Sequence, residues 1–368
     1  YECVPMRFIK HVYRIHTYAQ DGRLFEGKTP VSAFLNSSYD GSFIAGLMEL
    51  RYIQSLPVER IINYFESHGF TLKKPTAHKL MEKASSLFEN LYKCIRQTAL
   101  SDPYKAADET YYKILVPEKN SKGKGVRKGY LWVVVGINTR MIYLLYDDGS
   151  RSEKVILNEL GGCKGIIQSD GYSPYRKLES DAYPHITRIP CLQHIKRKFI
   201  DCGEDDPDAK RIVEMINTLY QNEHKHKIGV DGWTVEQNLV HRKKYAPDIL
   251  GEIKDVLDDI EERGDLLPKS ELKEAITYLR NEWNAVVDIF NYGDTYLDNN
   301  IVERMNRYIS LSRKNSLFFG SHKGAERGAI LYTIALTCRM NKVNLFEYLT
   351  DVINRTAEWQ PNTPLEKY

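Results

Sequence analysis

The chain has 368 residues, 42% hydrophobic and 27% charged, with a formal net charge of +3. That length predicts two or three domains of ordinary globular composition and excludes a disordered or fibrous chain. No run of about 18 apolar residues exists, so no membrane-spanning helix is expected, and residues 1–10 lack the apolar stretch and cleavage site of a secretory signal.

Residues 1–36 are mixed. Residues 8–18 alternate and suit a strand, and residues 21–30 suit a loop. The absence of an initial Met reads as a fragment or a processed form. From Asp40 to Leu100 the period is helical: Phe43, Leu47 and Leu50 share one face, and Ile61, Ile62 and Phe65 another. Ser55 followed by Pro57 suits a capped helix start. Ser67-His68-Gly69-Phe70 breaks that helix, and Lys74-Pro75-Thr76 opens one carrying Leu80, Ala84, Leu87 and Leu91. Two helices about a short Gly-containing turn suit a helix-turn-helix as well as a plain helical hairpin. Lys74 and Lys79 near the second start are candidate DNA contacts.

At Tyr104 the character changes. Asp108-Glu109-Thr110 leads into a β-rich run at 111–116. A polar Gly/Lys loop follows to Gly129, then strands at 130–137 and 141–146. A helix over 152–160, a strand over 165–169, a short helix over 172–178, a strand over 186–190 and a helix from His194 complete the series. Three strands in a meander, then helix, strand, helix, strand predicts an α/β, ribonuclease-H-like fold with a mixed five-strand sheet. Residues 207–290 read as a large helical insertion. Asp298-Asn299-Asn300 opens a helix through Glu303 to about Ser310, and two helices follow at 323–341 and 345–355.

Six scattered cysteines, Cys3, Cys94, Cys163, Cys191, Cys202 and Cys338, form no Cys-x-x-Cys pair. They predict a reducing cytoplasm and no zinc ribbon. Basic residues cluster at 119–128, 196–198 and 304–314; any one cluster also suits a solvated surface.

Phosphodiester transfer with two divalent ions needs carboxylates that converge. The expected fold offers one on its first strand, Asp108, one at the end of its fourth, Asp170, and one on a returning helix, Glu303. Asp108 also fits a strand edge, Asp170 a turn or a helix cap, and Glu303 a capping box after Asn300. Helical geometry sets Ile301, Met305, Tyr308 and Ile309 on one face and Glu303 with Arg307 on the other.

Six stretches in fixed order resemble the transposases of insertion sequence 66. They are Ala107-Asp108-Glu109-Thr110, Gly129-Tyr130-Leu131-Trp132, Gln168-Ser169-Asp170-Gly171-Tyr172, residues 191–199, residues 297–304 and residues 312–321. The resemblance implies an aspartate–aspartate–glutamate triad of Asp108, Asp170 and Glu303 holding Mg2+, with Mn2+ as a substitute. It implies transposon-end and target DNA as partners, a homo-oligomer, accessory proteins of the same element and a cytoplasmic, nucleoid-associated bacterial location. The expected parts are an N-terminal segment at 1–36, a helical DNA-binding region at 37–103, the first part of the catalytic domain at 104–202, the insertion at 203–293, its completion at 294–322 and C-terminal helices at 323–368.

Family members commonly carry a cysteine-rich zinc segment near the N-terminus. Residues 13–22 hold no cysteine pair, so that segment lies upstream or has degenerated. Leu192 stands where the family often has an aromatic. Cys191 and His194 make half a zinc pattern with no second pair at a plausible spacing. Zinc is therefore not expected, and His194 is read as a neighbour of the carboxylates contacting DNA or a bound water, or as structural. Lys196, Arg197, Arg304, Arg307, Arg313 and Lys314 are candidate phosphate contacts. The rival readings are a relic transposase that binds DNA without cutting it, and a nuclease that only hydrolyses.

Overall fold

A strand without a polar face must be covered on both sides, and Leu131, Trp132, Val133, Val134 and Val135 are all buried. The computed structural model describes residues 1–2, 6–27, 32–34, 37–119, 123, 125–203 and 205–357. An exposed hairpin, β1 (Thr17–Gln20) and β2 (Arg23–Glu26), precedes helices α1 (Gly41–Met48), α2 (Val58–Ser67), α3 (Lys74–Leu87) and α4 (Glu89–Ser101), with a π-helical turn at Glu49–Ile53 after α1. Then come β3 (Tyr104–Leu115), β4 (Val126–Gly136), β5 (Met141–Leu145), α5 (Glu153–Leu160), β6 (Gly165–Ser169), the short α6 (Ser173–Arg176), β7 (Ile186–Pro190) and α7 (Leu192–Ile200). The insertion is α8 (Pro207–Glu223), α9 (Val235–Arg263) and α10 (Glu271–Ile289). The chain then returns through α11 (Asn300–Ser316), α12 (His322–Met340) and α13 (Leu345–Ala357).

The five-stranded sheet has the order β5-β4-β3-β6-β7. The β5-β4-β3 meander is antiparallel, and β6 and β7 run parallel to β3. Two apolar cores flank it. One joins β4, β5 and α5 to α1–α4 and α11–α13. The other joins Tyr104, Ile166 and Ile189 to α7 and the insertion helices. The first helix also meets the last: a Cβ at Gly41 would collide with Ile353 and Asn354.

Several expectations need correction. The N-terminal strand begins at Thr17 rather than Phe8, and Asp21-Gly22 is the hairpin tip, because both residues take positive φ, 49° and 71°. Pro30 lies outside the described residues, as do Lys122 and Lys124 of the basic loop and Cys3. Ser55 caps nothing; Pro57 is the N-cap of α2. The helix expected from Lys74 past Leu91 breaks at Phe88. Strand β3 starts at Tyr104, seven residues before the β-rich run, since pairing with β4 and β6 overrides the weak propensity of Ala106, Ala107 and Asp108. On α11 the buried face is Val302, Met305, Asn306, Ile309 and Ser312, rotated from the apolar face expected, because Asn306 and Ser312 are buried through hydrogen bonds.

The insertion is pinned by Arg242. Its buried guanidinium donates to Glu223 Oε1 and Oε2 at 2.7 and 2.6 Å, to the Tyr292 carbonyl at 2.5 Å, and to Thr295 Oγ1 and O at 2.7 and 2.6 Å. Breaking one side of a buried ion pair strands its partner. Arg242→Ala is expected to cost about 3–5 kcal/mol, read as a lower urea midpoint. A midpoint equal to that of the parent would contradict this role.

Candidate active site

Strand register brings two aspartates together. In the parallel pairing of β3 with β6, Tyr104, Lys105 and Ala106 stand opposite Ile166, Ile167 and Gln168. Asp108 lies two residues beyond Ala106 on β3, and Asp170 is the first residue past the end of β6. The pairing of Ala106 with Gln168 brings these two segments near each other, and the Asp170 charge acts on Asp108. The Asp108 carboxyl is pushed up to about 7, by burial first and then by the charges of Glu109 and Asp170. Its Oδ1 accepts from the Glu109 N–H at 2.8 Å and its Oδ2 from Asn306 Nδ2 at 2.6 Å. Glu109 is also raised by burial, against the pull of Arg151, whose Nε donates to it at 2.9 Å.

Asp170 lies just past the end of β6, in a loop held from three sides. Its Oδ1 accepts the Tyr172 N–H at 3.1 Å, so it also shapes the approach to α6. Its carbonyl accepts from Arg188 Nη2 at 2.7 Å. The Gly171 N–H donates to the Tyr278 hydroxyl at 2.9 Å, and a Cβ at Gly171 would lie 2.5 Å from that oxygen. Arg188 is buried and also donates to Glu179 and Glu282, both at 2.5 Å, and to Ser169 Oγ at 3.1 Å. Two residues of α10, Tyr278 and Glu282, thus support the Asp170 loop.

Glu303 rides on α11, which is docked at its start. The Leu192 N–H donates to the Leu297 carbonyl at 2.8 Å. The Asn299 N–H donates to Cys191 Sγ at 3.2 Å, and Asn299 Nδ2 donates to the Ala107 carbonyl at 3.0 Å. The N-cap is Asn299 and makes no side-chain cap bond, so the alternative of a capping box after Asn300 is not formed. Instead Glu303 Oε1 faces His194 Nε2 at 3.7 Å. Donor atoms of Cys191, His194 and Glu303 all lie within 4.8 Å of one another.

Among the described residues, eight buried side-chain polar atoms lack a hydrogen-bond partner, and four of them belong to this region: His194 Nδ1, Asn299 Oδ1, Glu303 Oε1 and Asn306 Oδ1. Asn299, Glu303 and Asn306 share one face of the helix at spacings of four and three. Unpaired buried oxygens beside a carboxylate that resists ionisation fit a cation bound by oxygen ligands. Asp108, with the Asp170 charge acting on it, is that carboxylate, while the Glu303 donor atom groups with Cys191 and His194.

An open cleft of about 410 Å3 adjoins Asp170, lined by Arg151, Gly171, Tyr172, His194, Arg197, Lys198, Asp201 and Tyr278. Of the expected phosphate contacts, Arg197 is there and exposed, while Lys196 lies 6.0 Å over the Tyr220 ring. Arg304, Arg307, Lys314 and Lys79 are exposed. Lys74 pairs with Glu59 of α2 at 2.8 Å. Arg313 is engaged by the fold: it donates to the Tyr111 carbonyl at 2.5 Å and stacks 4.0 Å over the Tyr111 ring. Asp258 pairs with Arg280 inside the insertion. Sequence reasoning missed Arg151, Tyr278, Arg188, Asn299 and Asn306. Each acts through a partner far away in the chain, and no local spacing marks it.

The family model described as "Transposase IS66 family" matches residues 36–327, and the chain belongs to that family. Three relatives from Sinorhizobium fredii (strain NBRC 101917 / NGR234) are similar to it. Uncharacterized protein y4jD is 26% identical over 84% of this chain, and the match spans 61% of that protein's length. Uncharacterized protein y4qI is 26% identical over 99% of this chain and 69% of its own. Uncharacterized protein y4hP is 24% identical over 97% and 67%. Among the described residues no helix is long and apolar enough to cross a membrane.

Asp108 holds its proton more tightly in the folded chain, about 7 against the ordinary 3.8. Folded stability therefore falls as pH rises from about 4 to about 7 and stays lower above. Asp108→Asn removes that penalty and keeps both contacts if the Asn306 amide flips to offer its unpartnered Oδ1. Without metal, the variant is expected to be more stable than the parent by on the order of 2 kcal/mol at pH 8 and nearly equal at pH 4. Equal denaturation midpoints at pH 8 would contradict this.

Proposed function

We propose that this chain is a DNA transposase core with a ribonuclease-H-like catalytic fold. In this reading Asp108, Asp170 and Glu303 carry divalent-ion-dependent strand cleavage at transposon ends and strand transfer into target DNA. The observation that carries the reading is the proximity of Asp108 on β3 to Asp170 just past the end of the adjacent β6, with α11 anchored to Asp108 through Asn306. The strand order β5-β4-β3-β6-β7, with an antiparallel meander and two parallel strands, supports the fold assignment. Family membership supports the transposase role and DNA as partner.

Mg2+, or Mn2+ in its place, when held by these carboxylates supplies charge neutralisation and Lewis acidity at the phosphate. The remaining work falls to the chain. Asp108 gives up its proton to serve as a ligand, and Asn306 and the Glu109 N–H fix both its oxygens. Arg188 and Tyr278 hold the loop that aims Asp170. Arg151, Arg197 and Lys198 line the cleft beside Asp170 and supply positive charge for a phosphate backbone. Exposed Arg304, Arg307 and Lys314 extend that charge along α11, and α2 with α3, through Lys79, contributes to end recognition. A homo-oligomer fits the need to act on two ends, and accessory proteins of the element remain part of the proposal.

Asp108→Asn, Asp170→Asn and Glu303→Gln are each expected to lower cleavage of terminal-repeat DNA at least about a hundredfold while leaving its affinity within about threefold, since a ligand charge is lost and the basic surface kept. Equal losses of binding and cleavage would make these residues structural. A precut end supplied with target DNA should yield a joined product; hydrolysis alone would favour the nuclease reading. The pair Arg197→Ala, Lys198→Ala should lower the slope of log affinity against log salt by about two. An unchanged slope would remove the cleft from the DNA path.

A further inference from the structure

The seam between α7 and α11 holds a second set of donors of different chemistry. Cys191 is the N-cap of α7 and His194 lies one turn along, so the Cys-x-x-His spacing sends both side chains to one side of that turn. Glu303 arrives from α11. Hydrogen bonds from the Leu192 N–H to the Leu297 carbonyl and from the Asn299 N–H to Cys191 Sγ fix the two elements against each other. The third donor is not from a second Cys/His pair but is a carboxylate from a distant helix.

The distances suit a metal better than they suit the bare side chains. His194 Nε2 and Glu303 Oε1 stand 3.7 Å apart, too far for a hydrogen bond. Ligand bonds of about 2.0–2.3 Å in a tetrahedral site place neighbouring donors roughly 3.3–3.8 Å from each other. All three donors already lie within 4.8 Å, so closing on an ion needs shifts of about 1 Å or less. The buried Glu303 Oε1 and His194 Nδ1 have no hydrogen-bond partner, a state that a bound cation would relieve for the carboxylate. One sulfur, one imidazole and one carboxylate form a donor set that magnesium disfavours and zinc accepts, and three protein ligands leave a fourth position open.

We infer that Cys191, His194 and Glu303 form a zinc-type site that pins α11 to α7. Binding there takes the Glu303 carboxylate as a ligand, so one side chain serves both this site and, if the proposed function holds, the carboxylate site beside it. The zinc site itself does not depend on that function, and its test uses no cleavage assay.

The metal-stripped full chain is titrated with cobalt(II) and, separately, with zinc(II). One cobalt per chain should bind with a thiolate-to-cobalt charge-transfer band. Cys191→Ser should abolish the band, and Glu303→Gln should weaken binding at least tenfold. Zinc should raise the thermal midpoint of the parent and not that of Cys191→Ser. Should Cys191→Ser not fold, His194→Gln takes its place, with at least a tenfold loss of cobalt affinity expected. No charge-transfer band in the parent, a band that survives Cys191→Ser, or His194→Gln binding cobalt as the parent does would overturn the inference. Failure here would leave magnesium-dependent cleavage untouched, so the two readings fall separately.

Discussion

Strand β3 carries Asp108, and the chain leaving the adjacent β6 carries Asp170, so the surrounding structure has to hold two acids near each other. The pairing of Ala106 with Gln168 brings those two segments together. Burial and the neighbouring acids keep the Asp108 carboxyl from ionising easily. Such an arrangement stores electrostatic repulsion that a cation can release. Glu109 would add a third charge to the pair, and Arg151, lying over the rings of Tyr130 and Tyr172, offsets it from outside.

The insertion is tied into this arrangement. Burying Arg188 between Glu179 and Glu282 carries a desolvation cost that only a fully bonded guanidinium offsets, and here its donors reach two carboxylates, a hydroxyl and the Asp170 carbonyl. Glu282 and Tyr278 both come from α10. The helices inserted after β7 therefore share a core with the sheet and determine where the loop after β6 sits. Arg242 does the complementary work at the far end, closing the insertion onto the segment that leads into α11.

Helix α11 is where the parts meet. Asn299 reaches β3, Asn306 reaches Asp108, and Glu303 between them turns toward α7 and His194. Beyond its end the chain runs beside β3, where Phe319 exchanges backbone hydrogen bonds with Lys113 and Leu115 and packs its ring, tilted, against Tyr112. Arg313 belongs to that closure, while Arg304, Arg307 and Lys314 remain exposed. Basic residues only a few positions apart thus have different work, because each turn of helix presents a different face.

The strands 165–169 and 186–190 and the helical insertion over 207–290 were legible because short apolar runs and a 3.6-residue period are local properties. Asp108, Asp170 and Glu303 stood out as candidates through their place in the element order and through the resemblance of the stretches around them. Hydropathy left open where β3 begins, since Ala106-Ala107-Asp108 has little strand preference and pairs only because β4 and β6 lie alongside. Arg188, Tyr278, Asn299 and Asn306 look like ordinary polar residues in the sequence, and their roles exist only through contacts with residues distant in the chain. The chain's own chemistry determined the elements and which acids are available to a site. Tertiary packing alone decided that Asp108 and Asp170 lie near each other, that α10 holds one of them in place, and that the Glu303 carboxylate faces Cys191 and His194, because hydrogen bonds and close packing between distant segments have no local signature.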